Sequence, residues 1–363
     1  MSEIGKITLQ KSFFTEKERS FFEYKGIEVS TFIYDSGIHA IRIKNENGYI
    51  IMLPFKGQQI WDAVFNDREL KMSSLFKEPR NVENFIDSYG CFMMHCGALR
   101  MGCPGPEDDY PLHGELPYAE YDKAEILFGE DEKGAFVGLT GVFEYNRGFG
   151  DNYYAKPTVK MHKNSSMLNV DMTIENLSNY PMELMYMCHV NFIPADNGRI
   201  VQSCSWNNKD TVVRTTIPGH VNPTESFLAF LDELKEDPKR TEILKVEDEY
   251  DPEIVFSFNN LVTDKDGISH FMQVHSDGTS DYVGYKPSEF DFNSRWIYKA
   301  KNTKVLGLTL PATANSDGYT IEKKNGHVKE IAPKHSISFS VLTGALGKSE
   351  AVGMEANIKD MLK

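Results

Sequence analysis

One histidine lies in a segment whose side chains could exchange protons with a ligand. The stretch "DDYPLHGELPYAEYD", residues 108–122, places His113 among prolines, a glycine and acids, with Glu115 two positions later. Proline and glycine interrupt regular strands and helices, so the stretch is predicted to be a surface loop, where functional residues concentrate. An imidazole and a carboxylate at this spacing could serve as a general acid and a general base.

A second histidine lies in the stretch "YPMELMYMCHVNFIPAD", residues 180–196, which is predicted to be a strand. Side chains alternate between the two faces of a strand, so the apolar even-numbered residues share one face. His189 and Asn191 share the other face. The apolar face should pack on the core, and the face with His189 could be the floor of a pocket. The alternative is that His189 is tied to a neighbouring carbonyl inside a sandwich.

The elements that would position these residues are predominantly strands. Residues 38–53, 124–145, 158–178 and 319–331 each show two runs of alternating hydrophobicity around a polar turn. Such repeated hairpins, together with the abundance of aromatic residues, predict an all-β protein, a large antiparallel β-sandwich.

Helical patterns are few. Residues 223–238 begin with Pro and Thr, carry apolar residues at helical spacing and stop at a proline, and residues 350–363 are a weaker candidate. Neither an internal repeat nor a linker is apparent, so residues 1–363 are predicted to form a single domain with a few short helices.

Charge and hydropathy exclude several classes of partner. The 363 residues include 39 basic and 53 acidic side chains, a net charge of −14, which argues against nucleic acid or an anionic membrane as a partner. There are not eighteen consecutive apolar residues, and the first residues do not resemble a signal peptide. Five cysteines without a regular framework fit free thiols, so a cytoplasmic location is expected.

Three segments, in order, resemble a known family. They are "HCGALRMGCPGPEDDYPLHGEL" (95–116), "YMCHVNF" (186–192) and "RWIYKAKNTKVLGLTLPATANSDGY" (295–319). Together they resemble the aldose 1-epimerase (galactose mutarotase-like) superfamily, and in particular a poorly characterised bacterial branch of it. The resemblance implies a β-supersandwich, a small-molecule sugar as ligand and no cofactor.

The resemblance also implies roles for the two histidines. Interconversion of anomers opens the sugar ring, so a proton must reach the ring oxygen and another must leave the anomeric hydroxyl. By resemblance, His189 matches the family's catalytic acid, and His113 matches the loop histidine that helps to hold the ring oxygen. Each proton-transfer group is worth roughly 10²–10⁴-fold in rate.

Further residues are candidates for contacts with the sugar. Arg100 could donate a fork of hydrogen bonds to hydroxyls, although a surface arginine is equally consistent with its position. Trp296 could stack on a sugar face or lie in the core. Asn191 shares a strand face with His189.

The general base is the point at which the chain departs from the family. A glutamate is expected on the late strand, and Thr309 stands there instead, although a hydroxyl is not a base near neutral pH. Glu115 or Asp317 could replace the missing carboxylate, the alignment could slip by a residue or two, or the protein could bind sugar without turning it over. A non-catalytic carbohydrate-binding protein is therefore the alternative function.

Other chemistries find less support. The residues His95, Cys96, Cys103 and His113 lie within nineteen positions, but their spacing does not match structural zinc sites, and no metal is expected. Glycoside hydrolysis would need a pair of carboxylates that no spacing singles out. The sequence makes no prediction of oligomeric state.

Overall fold

Antiparallel β-sheet is the main regular structure of this protein, whose computed structural model describes residues 4–217, 223–248 and 250–363. The strands of the described residues, numbered in chain order, are β1 (Gly5–Thr8), β2 (Arg19–Tyr24), β3 (Ile27–Ile33), β4 (His39–Asn45), β5 (Gly48–Met52), β6 (Ile60–Phe65), β7 (Arg68–Glu69), β8 (Met93–Cys96), β9 (Lys123–Asp131), β10 (Gly134–Asn146), β11 (Asn152–His162), β12 (Met167–Asn176), β13 (Met182–Leu184), β14 (Met187–Val190), β15 (Gly198–Gln202), β16 (Thr211–Val213), β17 (Ile243–Leu244), β18 (Ile254–Phe258), β19 (Ser269–Val274), β20 (Ser280–Tyr285), β21 (Phe292–Lys299), β22 (Lys304–Ala312), β23 (Lys329–Ile331) and β24 (Ser336–Leu346). The helices are α1 (Glu225–Glu236), α2 (Tyr319–Lys324) and α3 (Lys348–Met361).

Two large sheets hold all but two of these strands. One sheet has ten strands in the order β1-β9-β10-β11-β12-β24-β20-β19-β15-β17. The other has twelve, in the order β16-β18-β21-β22-β14-β8-β6-β5-β4-β3-β2, with β7 paired to β6. Apolar side chains from both sheets share one large buried cluster, as expected when two sheets pack face to face. The predicted antiparallel β-sandwich is confirmed.

Alternating hydrophobicity produces the hairpins because one face of each strand meets the core. In β12 every second residue is buried, and Leu168, Val170, Met172 and Ile174 all join the main apolar cluster. The strand pairs in antiparallel register with β11 on one side and with β24 on the other. Such a strand lies at the centre of its sheet, as its regular pattern indicates.

Helices α1 and α3 lie where helical spacing predicts them. The hydroxyl of Thr224 accepts a hydrogen bond from the backbone N–H of Phe227, which caps the start of α1. The apolar side of α1 is buried, and the chain leaves the helix before Pro238. Helix α3 buries Ala351 and Ile358 against the ten-stranded sheet.

The segment 319–331 differs from its prediction as two strands around a turn. Residues 319–324 form α2, and only β23 is a strand, paired with β13. The Asn325–Gly326 pair that signals a hairpin turn instead follows the helix end, with Gly326 in the left-handed region at φ +74°. A glycine after a helix and a glycine in a turn satisfy the same backbone requirement, so the signal was ambiguous.

The histidine-bearing stretch 180–196 is interrupted rather than continuous. It forms β13 and β14, and between them the N–H of Met185 bonds to the carbonyl of Ala98. The even-numbered face packs in the main cluster, as predicted. The opposite face is not half-open: Met187 and His189 are 2% and 3% exposed, because the loops after β7 and β8 cover it.

The helices of the described residues include none long and apolar enough to cross a membrane. The organisation of residues 1–363 as a single domain stays a prediction.

Candidate functional site

The structure brings the two predicted histidines together. His189 on β14 and His113 in the loop after β8 have ring centroids 5.4 Å apart, with the rings at 79° to each other. Aromatic residues surround the pair. Phe85 lies 5.4 Å from the His113 ring, while Tyr89 and Trp296 lie 6.3 Å and 5.7 Å from the His189 ring.

The loop that carries His113 is held by its own backbone. The N–H of His113 bonds to the carbonyl of Gly102, and its carbonyl accepts from the N–H of Gly97, both at 3.0 Å. His113 and Gly114 have φ values of +63° and +81°, a region that favours glycine. A side chain at Gly114 would also clash, because its Cβ would lie 2.0 Å from the Arg100 carbonyl oxygen. These constraints aim the imidazole at β14.

Burial controls the protonation of both imidazoles. Desolvation lowers the pKa of His113 to about 4 and that of His189 to about 3, with the neighbouring His113 lowering the latter further. Both pKa values therefore lie well below the ordinary histidine value of 6.5. Both imidazoles are neutral at pH 7, and the buried Nδ1 atom of each has no hydrogen-bond partner among the described residues.

Glu115 is used to hold the loop rather than to face the imidazoles. Its Oε1 accepts hydrogen bonds from the N–H groups of Ala98 and Leu99, each at 2.9 Å, and from the Tyr153 hydroxyl at 2.6 Å. Tyr153 belongs to β11 and lies in the main core. Burial raises the pKa of Glu115, and the hydrogen bond from Tyr153 partly offsets the effect. The partners of this carboxylate lie on the core side of the loop, away from His189.

Asn191 supports the aromatic wall of the site. Its Oδ1 accepts from the Tyr89 hydroxyl at 2.9 Å, and its Nδ2 donates to the Cys91 carbonyl at 3.1 Å. The residue is completely buried. Asn191 thus orients Tyr89 against His189, and in this structure a ligand cannot reach its side chain.

Trp296 lies in the site, bonded to an acid that the sequence did not single out. Its indole N–H donates to Oε2 of Glu253 at 2.6 Å, and Arg214 donates to Oε1 of the same carboxylate at 2.6 Å. Glu253 precedes β18, the neighbour of β21. Because no motif or spacing marks Glu253 among 53 acids, only the cross-strand contact identifies it.

A cavity of about 140 Å³ lies on the same sheet face as the imidazoles. Its lining includes Met187 and Ser294, which alternate with His189 and Trp296 on β14 and β21. Residues two apart on a strand are about 7 Å apart on one face, so the cavity adjoins the imidazole pair. The lining residues, drawn from five strands, from the residue after β16 and from the loop after β22, are Met187, Val212, Val213, Arg214, Val255, Ser257, Phe292, Asn293, Ser294, Ala312, Ala314, Asn315, Ser316 and Asp317.

Asp317 is the predicted acid that reaches this cavity. Its carboxylate lies 3.8 Å from Nη1 of Arg214, and its side chain is 46% exposed. The ion pair is long, so most of the hydrogen-bonding capacity of the carboxylate faces the cavity and solvent. Of the two predicted substitutes for the base, Asp317 lines the cavity and Glu115 does not.

A β-bulge removes Thr309 from the site. Ser294 pairs with Leu310 but Trp296 pairs with Gly307, so β22 carries one extra residue at this point. Thr309 is completely buried and lies beside Tyr285 in the sandwich interior. Leu310 instead joins the apolar cluster on the site face. Thr309 therefore does not face the site, and the neighbouring side chain that does, Leu310, is apolar.

Arg100 is engaged away from the imidazole pair. Its guanidinium carbon lies 3.5 Å from the centre of the Tyr319 ring. Nη1 donates to the Leu99 carbonyl at 2.6 Å, and Nη2 lies 3.5 Å from Glu183. These contacts of the guanidinium connect the loop to α2. The structure therefore offers no support for a sugar contact by Arg100.

The four residues considered as metal ligands do not converge. Nδ1 of His95 lies 2.9 Å from the Tyr186 hydroxyl, and His95 pairs across strands with the core-facing Cys188. Cys96 belongs to the cluster on the opposite face. The described residues contain no group of three or more His, Cys, Asp or Glu arranged to hold a metal ion.

The fold is that of the galactose mutarotase-like proteins. A candidate aldose 1-epimerase from Klebsiella pneumoniae aligns over 100% of this chain and 96% of its own, with 16% identity and a TM-score of 0.81. A galactose mutarotase-like protein from Clostridium acetobutylicum aligns over 89% of this chain and 99% of its own (15% identity, TM-score 0.57). A galactose mutarotase-like protein from Lactobacillus casei aligns over 84% of this chain and 99% of its own, with 12% identity and a TM-score of 0.53. The resemblance read from the three sequence segments is thus confirmed at the level of fold.

More particularly, residues 35–195 match a family described as "Domain of unknown function (DUF4432)". The matched segment includes both histidines of the pair. A search of curated proteins found no match.

Proposed function

We propose that this chain is an aldose 1-epimerase-like protein that binds a free monosaccharide and interconverts its anomers. The observation that supports the proposal most directly is the 5.4 Å contact of His113 with His189 on the sheet face that also holds the cavity. Trp296 supplies an apolar ring at the junction, a common surface for the faces of sugars. A cytoplasmic location is part of the proposal, since all five cysteines are unpaired.

In this proposal the proton transfers are divided between an imidazole and a carboxylate. His189 delivers a proton to the ring oxygen, which His113 helps to hold, and Asp317 accepts the proton of the anomeric hydroxyl. Since both imidazoles are neutral when unliganded, the sugar must raise the pKa of His189, for example by bringing negative charge towards it as the ring opens. The low exposure of His189 also requires the ring of Tyr89 or Phe85 to move when the sugar enters.

Binding without turnover is the second candidate. Two observations favour it. Thr309, which by resemblance stands where the family has its glutamate, is turned into the interior, and burial lowers the pKa of His189 to about 3. A neutral imidazole donates one hydrogen bond and accepts another, which suffices to bind a hydroxyl or a ring oxygen.

Magnetisation exchange between the anomers of a panel of aldoses tests the proposal. The protein should accelerate exchange of at least one sugar, and Asp317→Asn should abolish the acceleration while sugar binding, measured by calorimetry, persists. Asp266→Asn, at an exposed turn acid, is the matched control and should behave as the unmodified protein. If a sugar binds but anomer exchange is not accelerated, the protein is a carbohydrate-binding protein without turnover. If no sugar binds and no exchange is accelerated, the proposal is excluded.

A further inference from the structure

A buried arginine lies on the opposite side of the sheet from the site. Arg295 on β21 has no exposed surface, and it pairs across strands with Phe256 of the main core. Its Nε donates to the Leu308 carbonyl at 3.1 Å. Both Nη1 and Nη2 are buried and have no hydrogen-bond partner in the described part of the chain. Up to four N–H donors therefore point into the sandwich interior unpaired.

The guanidinium also has no counter-charge. The ion pairs formed between described residues do not include Arg295, and its closest ring partners are Phe258 at 4.9 Å and Trp206 at 5.6 Å. Burial lowers the pKa of Arg295 to about 9, so the group is still charged at pH 7. Burial also raises the pKa of the neighbouring Cys204 thiol to about 11, so Cys204 is neutral. An isolated charge in a low-dielectric interior carries a large desolvation cost.

Two buried hydroxyl groups lie near the bulge opposite Arg295. Thr309 is at the bulge opposite Arg295, and its hydroxyl lies beside that of Tyr285, which comes from the other sheet. Burial raises the pKa of Tyr285, and the Thr309 hydroxyl, which interacts with the Tyr285 hydroxyl, partly offsets this effect; both groups are buried. Arg295 and Thr309 therefore lie on neighbouring strands, and both side chains are buried.

We propose that a small monovalent anion of halide size binds to the unpaired Nη1 and Nη2 groups of Arg295 in the sandwich interior. Such an anion accepts hydrogen bonds from the guanidinium and neutralises the buried charge. The position is directly behind the bulge that places Leu310 on the site face and Thr309 in the interior. The anion would therefore stabilise the bulge, and its binding does not depend on the proposed sugar chemistry.

Crystals of the unmodified protein grown in bromide test the site directly. Anomalous scattering should show a bromide peak within hydrogen-bonding distance of Arg295 Nη1 and Nη2. Water density at this position without an anomalous peak would overturn the proposal.

Thermal unfolding in sodium chloride and in sodium gluconate at equal ionic strength is the solution test. A ligand that binds only the native state should raise Tm by roughly 2 °C for each tenfold rise in chloride above Kd, and gluconate is too large to substitute. Arg295→Met should lose the difference between the two salts, while Arg19→Met, at an exposed position, should keep it. Equal responses to the two salts, or a chloride effect that persists in Arg295→Met, would contradict the proposal. If Arg295→Met does not fold, the bromide peak decides.

Discussion

His113 and His189 meet almost at right angles, so the edge of one imidazole faces the ring of the other. The two residues come from a loop and from a strand that are far apart in the chain, and each keeps an Nδ1 atom without a hydrogen-bond partner among the described residues. Buried polar atoms are normally paired, and this unpaired couple is therefore the basis of the proposed sugar site.

Removal of either imidazole should impair the site without unfolding the protein. If His189 transfers a proton, His189→Ala should slow anomer exchange by roughly 10²–10⁴-fold, and His113→Ala should weaken sugar binding. His335→Ala, at an exposed histidine, should have no effect on either measurement. Normal exchange and binding in both site variants would show that the pair serves packing alone.

The burial of the two imidazoles should make the free energy of unfolding fall as the pH decreases. The pKa of each imidazole is about 6.5 in the unfolded chain and about 3 to 4 in the native protein. At a pH between these values, the unfolded chain therefore binds more protons than the native protein. The free energy of unfolding should therefore drop below pH 6.5 by up to about 1.4 kcal/mol per pH unit for each imidazole, with no contribution above. Urea denaturation should show a shallower decline in His189→Gln than in the unmodified protein. Parallel profiles for the two proteins would contradict this account.

Glu115 should matter for stability more than for proton transfer. Glu115→Ala leaves two backbone N–H groups and the buried Tyr153 hydroxyl without their acceptor, so the free energy of unfolding should fall by roughly 2–4 kcal/mol. Glu107→Ala, at an exposed position in the same loop, should change stability by less than about 0.5 kcal/mol. Chemical denaturation measures both. Unchanged stability of Glu115→Ala combined with lost anomer exchange would restore Glu115 as the candidate base.

Trp296 should report the arrival of a sugar. The chain has three tryptophans, and only Trp296 contacts the imidazole pair, so a bound sugar should change the fluorescence through this residue. Trp296→Phe keeps an apolar ring but loses the N–H bonded to Glu253. Binding should persist within about tenfold while the fluorescence change disappears. In Trp206→Phe the change should remain, and its loss there would place the sugar elsewhere.

Much of the fold could be read from the sequence because strand patterning is local. A strand with one buried face repeats every two residues, so β11, β12 and the core-facing side of β14 were visible as alternating hydrophobicity. Segment 319–331 was misassigned because Asn-Gly follows helices as well as hairpin strands. The resemblance of three separated segments correctly indicated the mutarotase-like fold, which local patterns alone do not distinguish from other sandwiches.

By itself, then, the sequence determined the β architecture and the two histidines, since alternation and residue type depend on neighbours in the chain. Tertiary structure decided what each side chain faces. One extra residue at a bulge turned Thr309 towards the interior and Leu310 towards the site face. Hydrogen bonds from the loop backbone and from Tyr153 of β11 hold the Glu115 carboxylate away from the imidazole pair. Burial by distant segments lowered the imidazole pKa values. Register, solvent exposure and hydrogen-bond partners depend on residues remote in sequence, and therefore no pattern along the chain encodes them.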